Sequence, residues 1–268
     1  QEVRVLAKLE HQNIVAAYEA GDDNGVLFLA MGYVQGQSLE DRIKHEGPLP
    51  WKEACGIVKK LAAALTYAWD EHRLLHRDIK PANVLLDSDG EPKLVDLGLA
   101  KSLGPQEGLT MSGSIMGTPN YMSPEQIESF GDLDFRADMY SLGATLWHML
   151  TGRSPFKGSS LMDTLRKQAS EPLADPRQYA PEVPENVVIL LEVMVAKSRD
   201  HRHESWAALV ADLQRVLAGK MPQRRPPAAG GSVLIRGVAR KPVAPQPGAK
   251  PPPGAEFVRI PAEPRRSV

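Results

Sequence analysis

Residues 76–98 read HRDIKPANVLLDSDGEPKLVDLG, and their pattern is that of a loop feeding a β-hairpin. Two apolar runs, 84–86 and 93–95, flank Asp89 and Gly90. Asp-Gly between such runs is a strong turn signal. The midpoint of positions 83 and 96 falls between Asp89 and Gly90. Antiparallel pairing therefore sets Asn83 opposite Asp96 at the mouth of the hairpin. Asp78 and Lys80 lie just before, on the feeding loop. Two carboxylates, one amide and one ammonium group are expected at a single spot.

Those groups suit phosphoryl transfer. Its transition state is loose and heavily charged, so catalysis is mostly positioning and charge neutralisation. Asp96 and Asn83 supply the oxygen ligands that Mg²⁺ prefers. Asp78 can accept a hydroxyl proton, and Lys80 can neutralise a migrating phosphoryl group.

Outward from this stretch the chain is unevenly patterned. Residues 1–10 read as the end of a helix, with Val3, Leu6 and Leu9 on one face. Segments 14–20 and 26–33 predict two strands around GDDNG, hence a hairpin. VQGQS at 34–38 reads as a flexible connector. Pro50 opens a long helix over 51–71 with Ala54, Val58, Leu61 and Leu65 inward. Further helices are expected over 134–151, 159–170, 184–197 and 204–218. The four tryptophans fall in helical patterns and read as packing residues. His201 and His203 read as exposed loop residues.

Composition sets the outer bounds. The 268 residues are 42% hydrophobic, enough for one substantial core. Net charge is −1, but residues from Lys220 onward carry ten Lys and Arg against two Asp and Glu. That tail also holds 11 of the 23 prolines. Such a composition buries too little apolar surface to offset chain entropy, so 220–268 reads as a disordered basic linker. A solvated spacer is the expectation there, with no nucleic-acid partner; EFVRIPAE at 256–263 reads as an apolar patch within it. The single cysteine, Cys55, allows no disulfide framework and suits a reducing, cytoplasmic compartment. No apolar stretch is long enough to span a bilayer, although a longer parent protein could be membrane-anchored elsewhere.

The motifs together resemble the protein kinase superfamily, and most closely bacterial serine/threonine kinases of eukaryotic type. HRDIKPAN at 76–83 is similar to the family's catalytic loop, and DLG at 96–98 to its metal-binding Asp-Phe-Gly. GTPNYMSPE at 117–125 resembles the end of the activation segment, and DMYSLG at 138–143 the helix beneath the catalytic loop. The resemblance covers residues 1 to about 219. It implies an α+β, kinase-like fold: a small-lobe remnant over 1–34 ending in a hinge, and a mainly helical large lobe over 35–219.

The resemblance also assigns roles. Asp78 would be the catalytic base, Lys80 would contact the γ-phosphate, and Thr118 would hydrogen-bond beside them. Asn83 and Asp96 would hold Mg²⁺. Residues 31–34 (MGYV) would be the adenine hinge, through Met31, Tyr33 and Val34, with Leu85 under the ring. Glu2 would be the helix glutamate that pairs with the ATP-anchoring lysine. Asp138 would hold the catalytic loop from below, Glu125 would pair with Arg202, and Arg77 would receive an activating phosphate from Thr110 or Ser112. Lys80 with Thr118-Pro119 marks Ser/Thr acceptors.

The sequence departs from the family in one respect. It contains no glycine-rich strand pair before Glu2 and no valine-alanine-x-lysine strand. The resemblance therefore implies a fragment of a longer kinase, with ATP and a protein as substrates and little activity of its own. The alternative is a pseudokinase or truncated scaffold that binds without chemistry. Retention of Asp78, Lys80, Asn83 and Asp96 favours the enzyme.

Overall fold

The computed structural model describes residues 9–23, 26–97, 119–128, 133–226 and 234–235. The chain divides into Gln1–Gly237 and Val238–Val268, and every described residue lies in the first unit. It opens on the expected hairpin: β1 (Ala17–Asp23) pairs antiparallel with β2 (Val26–Met31). The first strand starts later than its apolar pattern suggests. Ile14 instead bridges in parallel to Leu94, and the Val15 amide donates to the Leu94 carbonyl at 2.9 Å. This stitch ties the hairpin to the large lobe.

The expected connector at 34–38 is a strand in part. β3 (Gly36–Ser38) pairs with β4 (Val84–Asp87), and β4 pairs with β5 (Pro92–Leu94), both antiparallel. Gly36 approaches its neighbour so closely that an added Cβ would lie 1.8 Å from the Leu86 carbonyl oxygen. Glycine here is a packing requirement, not a mark of flexibility. Ser38 then caps α1 (Leu39–Glu46), accepting from the Asp41 amide at 3.0 Å, and Gly47 closes it at φ 85°. The sequence analysis does not foresee α1; the signal was the Ser38-x-x-Asp41 box with Gly47 and Pro48 behind it.

The register of the β4–β5 hairpin differs by one from the expected one. Val84 faces Leu94, Leu85 faces Lys93 and Leu86 faces Pro92. Asn83 is accordingly opposite Val95, whose amide donates to the Asn83 carbonyl at 3.1 Å. The cause is the turn. Asp87 pairs with Glu91 around a three-residue loop, with Gly90 at φ 77° and its amide on the Asp87 carbonyl. A type I turn followed by a left-handed glycine centres the hairpin on Asp89 rather than between Asp89 and Gly90. Asp96 falls one step beyond the ladder, where its own φ of 59° turns the chain away.

The helices follow the sequence closely. α2 (Trp51–His72) buries Ala54, Val58, Leu61 and Leu65. After α3 (Pro124–Glu128) comes α4 (Phe135–Thr151), capped by Asp134 and buried on nearly every face. α5 (Leu161–Ser170) precedes the two-residue strand β6 (Leu173–Ala174). α6 (Glu185–Met194) and α7 (Trp206–Leu217) complete the lobe. Ser160 and Ser205 cap α5 and α7. The core gathers α2, α4, α6 and α7, with Trp147 and Trp206 inside it.

Beyond α7 the described chain packs where a linker is expected. The Gln223 and Arg224 amides both donate to the buried carboxylate of Asp212, at 2.5 and 3.0 Å. Leu234, in β7 (Leu234–Ile235), pairs in parallel with Leu173 and is 4% exposed. Asp212 explains the first contact, because a buried carboxylate needs donors. His203, expected to be exposed, also serves it: the ring is buried and its Nε2 lies 3.1 Å from Asp212 Oδ2.

Gly36→Ala and Gly56→Ala provide a paired test of the packing. The first should cost about 1–3 kcal/mol through the clash with β4. The second, at a helical site with nothing within 4 Å of a new Cβ, should gain about 0.5–1 kcal/mol. Denaturant titration of both variants measures the difference; equal effects would refute the close approach.

Candidate active site

The catalytic-loop segment is built by alternation. Leu75, His76 and Ile79 are buried, while Asp78 and Lys80 flank Ile79 and share the open side. Lys80 is extended, at φ −160° and ψ 164°. A 3₁₀ turn over Pro81–Asn83 then feeds β4 and places Asn83 against the loop.

Three of the expected groups meet on one carboxylate. Lys80 Nζ donates to Asp78 Oδ2 at 2.7 Å, and Asn83 Nδ2 donates to the same oxygen at 3.0 Å and to the Asp78 carbonyl at 2.8 Å. Oδ2 is thus held by two donors, neither of which bonds Oδ1. With its Nδ2 turned to Asp78, Asn83 directs its carbonyl oxygen the other way. Asp96 is exposed. With Met31, Ile14, Val15, Ala17 and Leu29 it lines a recess beside the hairpin that Leu9 and Leu97 also border. Met31 of the hinge and Asp96 therefore share one recess, whereas Leu85 is half-buried on β4 and outside it.

The hinge reads differently from its side chains. Tyr33 is 91% exposed, so its ring contributes no wall. Val34 is half-buried, and the Gly32 amide is already bonded to the Ala16 carbonyl at 2.8 Å. Glu2, Thr110, Ser112 and Thr118 lie outside the described residues.

Asp138 on α4 is buried and accepts from the amides of His76 and Arg77, at 2.7 and 2.8 Å. Burial pushes its carboxyl up, and those two amides oppose the shift. Arg77 itself is left-handed, at φ 69°. Glu125 and Arg202 form a two-pronged pair at 2.5 and 2.8 Å, with the Arg202 side chain wholly buried. Cys55 is also buried, with its thiol pushed up to about 12, so it is packing and not a nucleophile. Among the described residues there is no cluster of three His, Cys, Asp or Glu side chains fit to hold a metal.

With this geometry in place, the comparisons with known proteins are specific. Residues 1–213 match the protein kinase domain. The chain belongs to the protein kinase family. It is 33% identical over 226 residues to serine/threonine-protein kinase PrkC of Bacillus subtilis, covering 84% of this chain and 34% of that one. It is 35% identical over 228 residues to serine/threonine-protein kinase PknB of Mycolicibacterium smegmatis, covering 83% and 36%. Serine/threonine-protein kinase PknL of Mycobacterium tuberculosis is 32% identical over 241 residues, covering 89% and 59%. The chain thus spans about a third of the length of PrkC and PknB. No helix among the described residues is long and apolar enough to cross a membrane.

This kinase domain also uses residues that the sequence analysis does not single out. Gln126, beside Glu125, donates from Nε2 to the Arg77 carbonyl at 2.8 Å. Gln168 of α5 donates to the Met122 carbonyl at 2.7 Å. Neither has a sequence signal beyond a polar residue on an otherwise apolar helix face. Tyr121 is core: 6% exposed, its hydroxyl 2.7 Å from His148 Nδ1.

His148 supplies a pH test. Burial lowers its imidazole from 6.5 to about 4. The folded state therefore binds this proton less readily than the unfolded one. Its neutral form is compatible with the fold above about pH 6.5, and stability declines as pH falls from there toward 4. His148→Gln should flatten the stability profile in that window by about one proton's worth of slope. Parallel profiles for the two proteins, by thermal unfolding between pH 4 and 7, would exclude it.

Proposed function

We propose that the site transfers the γ-phosphoryl group of ATP to serine and threonine hydroxyls of proteins. The observation that carries this is the shared contact of Lys80 and Asn83 with Asp78 Oδ2, which leaves Oδ1 to an acceptor. On this assignment Asp78 Oδ1 orients the acceptor hydroxyl and takes its proton. The hydroxyl oxygen bonds to the γ-phosphorus as the bond to the β–γ bridging oxygen breaks, and ADP leaves. Lys80, held beside Asp78, would neutralise the developing charge on the phosphoryl group.

The residues present suit Mg²⁺. The carbonyl oxygen of Asn83 and the exposed carboxylate of Asp96 would supply hard oxygen donors in low number, which that ion accepts by keeping waters. When bound, Mg²⁺ would neutralise phosphate charge. Through Met31, Tyr33 and Val34 the hinge would meet the adenine by its backbone, since the Tyr33 ring points to solvent. Thr118 would support Asp78, Glu2 would serve the ATP-anchoring lysine, and phosphorylation of Thr110 or Ser112 would engage Arg77. These 268 residues include no glycine-rich loop and no strand lysine, so phosphorylation by the isolated chain should be weak.

The reading is tested in the full-length protein. Labelled ATP, Mg²⁺ and a generic Ser/Thr substrate should give phosphoserine and phosphothreonine. Asp78→Asn should lower the rate by about 10²–10⁴-fold, the usual scale for losing a general base. Wild-type rates in that variant, or no transfer by the unaltered protein, would favour a binding module.

A further inference from the structure

We propose that Gln126 is a positioning residue of the phosphoryl-transfer site: it clamps the Arg77–Asp78 peptide from the side of α3 and so sets the aim of the Asp78 carboxylate. The proposal rests on the kinase reading above.

Gln126 is 6% exposed, and both ends of its amide are occupied by unlike partners. Nε2 donates to the Arg77 carbonyl at 2.8 Å, and Oε1 accepts from the Ser123 amide at 2.9 Å. Only one orientation of the amide satisfies both. Its target is a strained residue. Arg77 is left-handed, at φ 69°, a conformation that disfavours any residue with a side chain. It persists only where neighbours over-determine it. Asp138 holds its amide from α4, and Gln126 holds its carbonyl from α3.

The carbonyl matters more for chemistry than the amide. The Arg77 carbonyl and the Asp78 amide belong to one planar peptide group. A rotation of that plane would swing Asp78 relative to Lys80 and Asn83. Among the described residues, the other hold on it is the Asp78 amide reaching His76 Nδ1 at 3.4 Å, which is long. Gln126 is therefore the short bond that fixes the plane. Its own helix does not drift. Glu125, its neighbour, is bound by Arg202, and Met122 is bound by Gln168 from α5. The segment from Pro119 to Glu128 is thereby placed in fixed register with the catalytic loop.

Two measurements separate this from a merely structural role. Hydrogen exchange on the 268-residue chain compares wild type with Gln126→Met, which keeps length and loses the donor. Exchange over residues 76–80 should accelerate, with the thermal midpoint changed by only a few degrees. Kinetics on the full-length protein should show kcat down by about tenfold or more, with KM for ATP within about twofold. Gln126→Glu should be equally slow at neutral pH and recover as pH falls, because a protonated carboxyl can again donate to the Arg77 carbonyl. Unchanged exchange, unchanged kcat, or a kcat loss matching the unfolded fraction would each overturn the proposal. Absence of phosphorylation by wild type would sink the kinase reading instead, and the exchange arm would then judge the clamp alone.

Discussion

The buried carboxylate of Asp138 organises the site. A charge so placed is costly unless donors surround it. Here the donors are the backbone amides of His76 and Arg77. To present two successive amides to one carboxylate, the chain adopts the left-handed turn at Arg77. That turn sends Ile79 into the core and leaves Asp78 and Lys80 on the open side. The placement of Asp78 and Lys80 is thus tied to satisfying one interior charge.

The same logic recurs around Arg202. Its guanidinium is wholly buried, and each of its nitrogens has a partner. Nε donates to Ala196, Nη1 to Glu125 and Arg136, and Nη2 to Glu125 and Lys197. Three of those acceptors are main-chain carbonyls, two from adjacent residues after α6 and one from the start of α4, so with Glu125 one side chain joins the starts of α3 and α4 to the chain after α6. Lys197 sits close by, over the rings of Tyr140 and Phe156, and burial with the Arg202 charge pulls its ammonium down to about 7. Asp212 repeats the theme at the exit of the lobe, where it collects His203 and two amides of the chain beyond α7.

These networks fix what can move. The catalytic loop, α3 and the outgoing chain are each bound by side chains from other elements. The small hairpin depends chiefly on backbone contacts of residues 13–15 with Leu94 and of Ala16 with Gly32. Met31 and Asp96 line one recess beside that connection.

Much of this was legible in the sequence. Apolar spacing marked α2, α4, α5, α6 and α7, because a helix declares its buried face at 3.6-residue intervals. The order of short motifs disclosed the family, and it drew attention to Asp78, Lys80, Asn83, Asp138, Glu125 and Arg202, whose contacts the structure then describes. What required three dimensions was everything set by approach rather than period. The hairpin register turned on whether Gly90 closes a two- or three-residue loop, a choice made by backbone angles and by Asp87 capping the turn. β3 exists because Gly36 can lie against Leu86. Gln126, Gln168 and His203 look like ordinary polar residues in one dimension. Their importance arises only when folding removes water from carbonyls and carboxylates far away along the chain, which must then find donors or be lost.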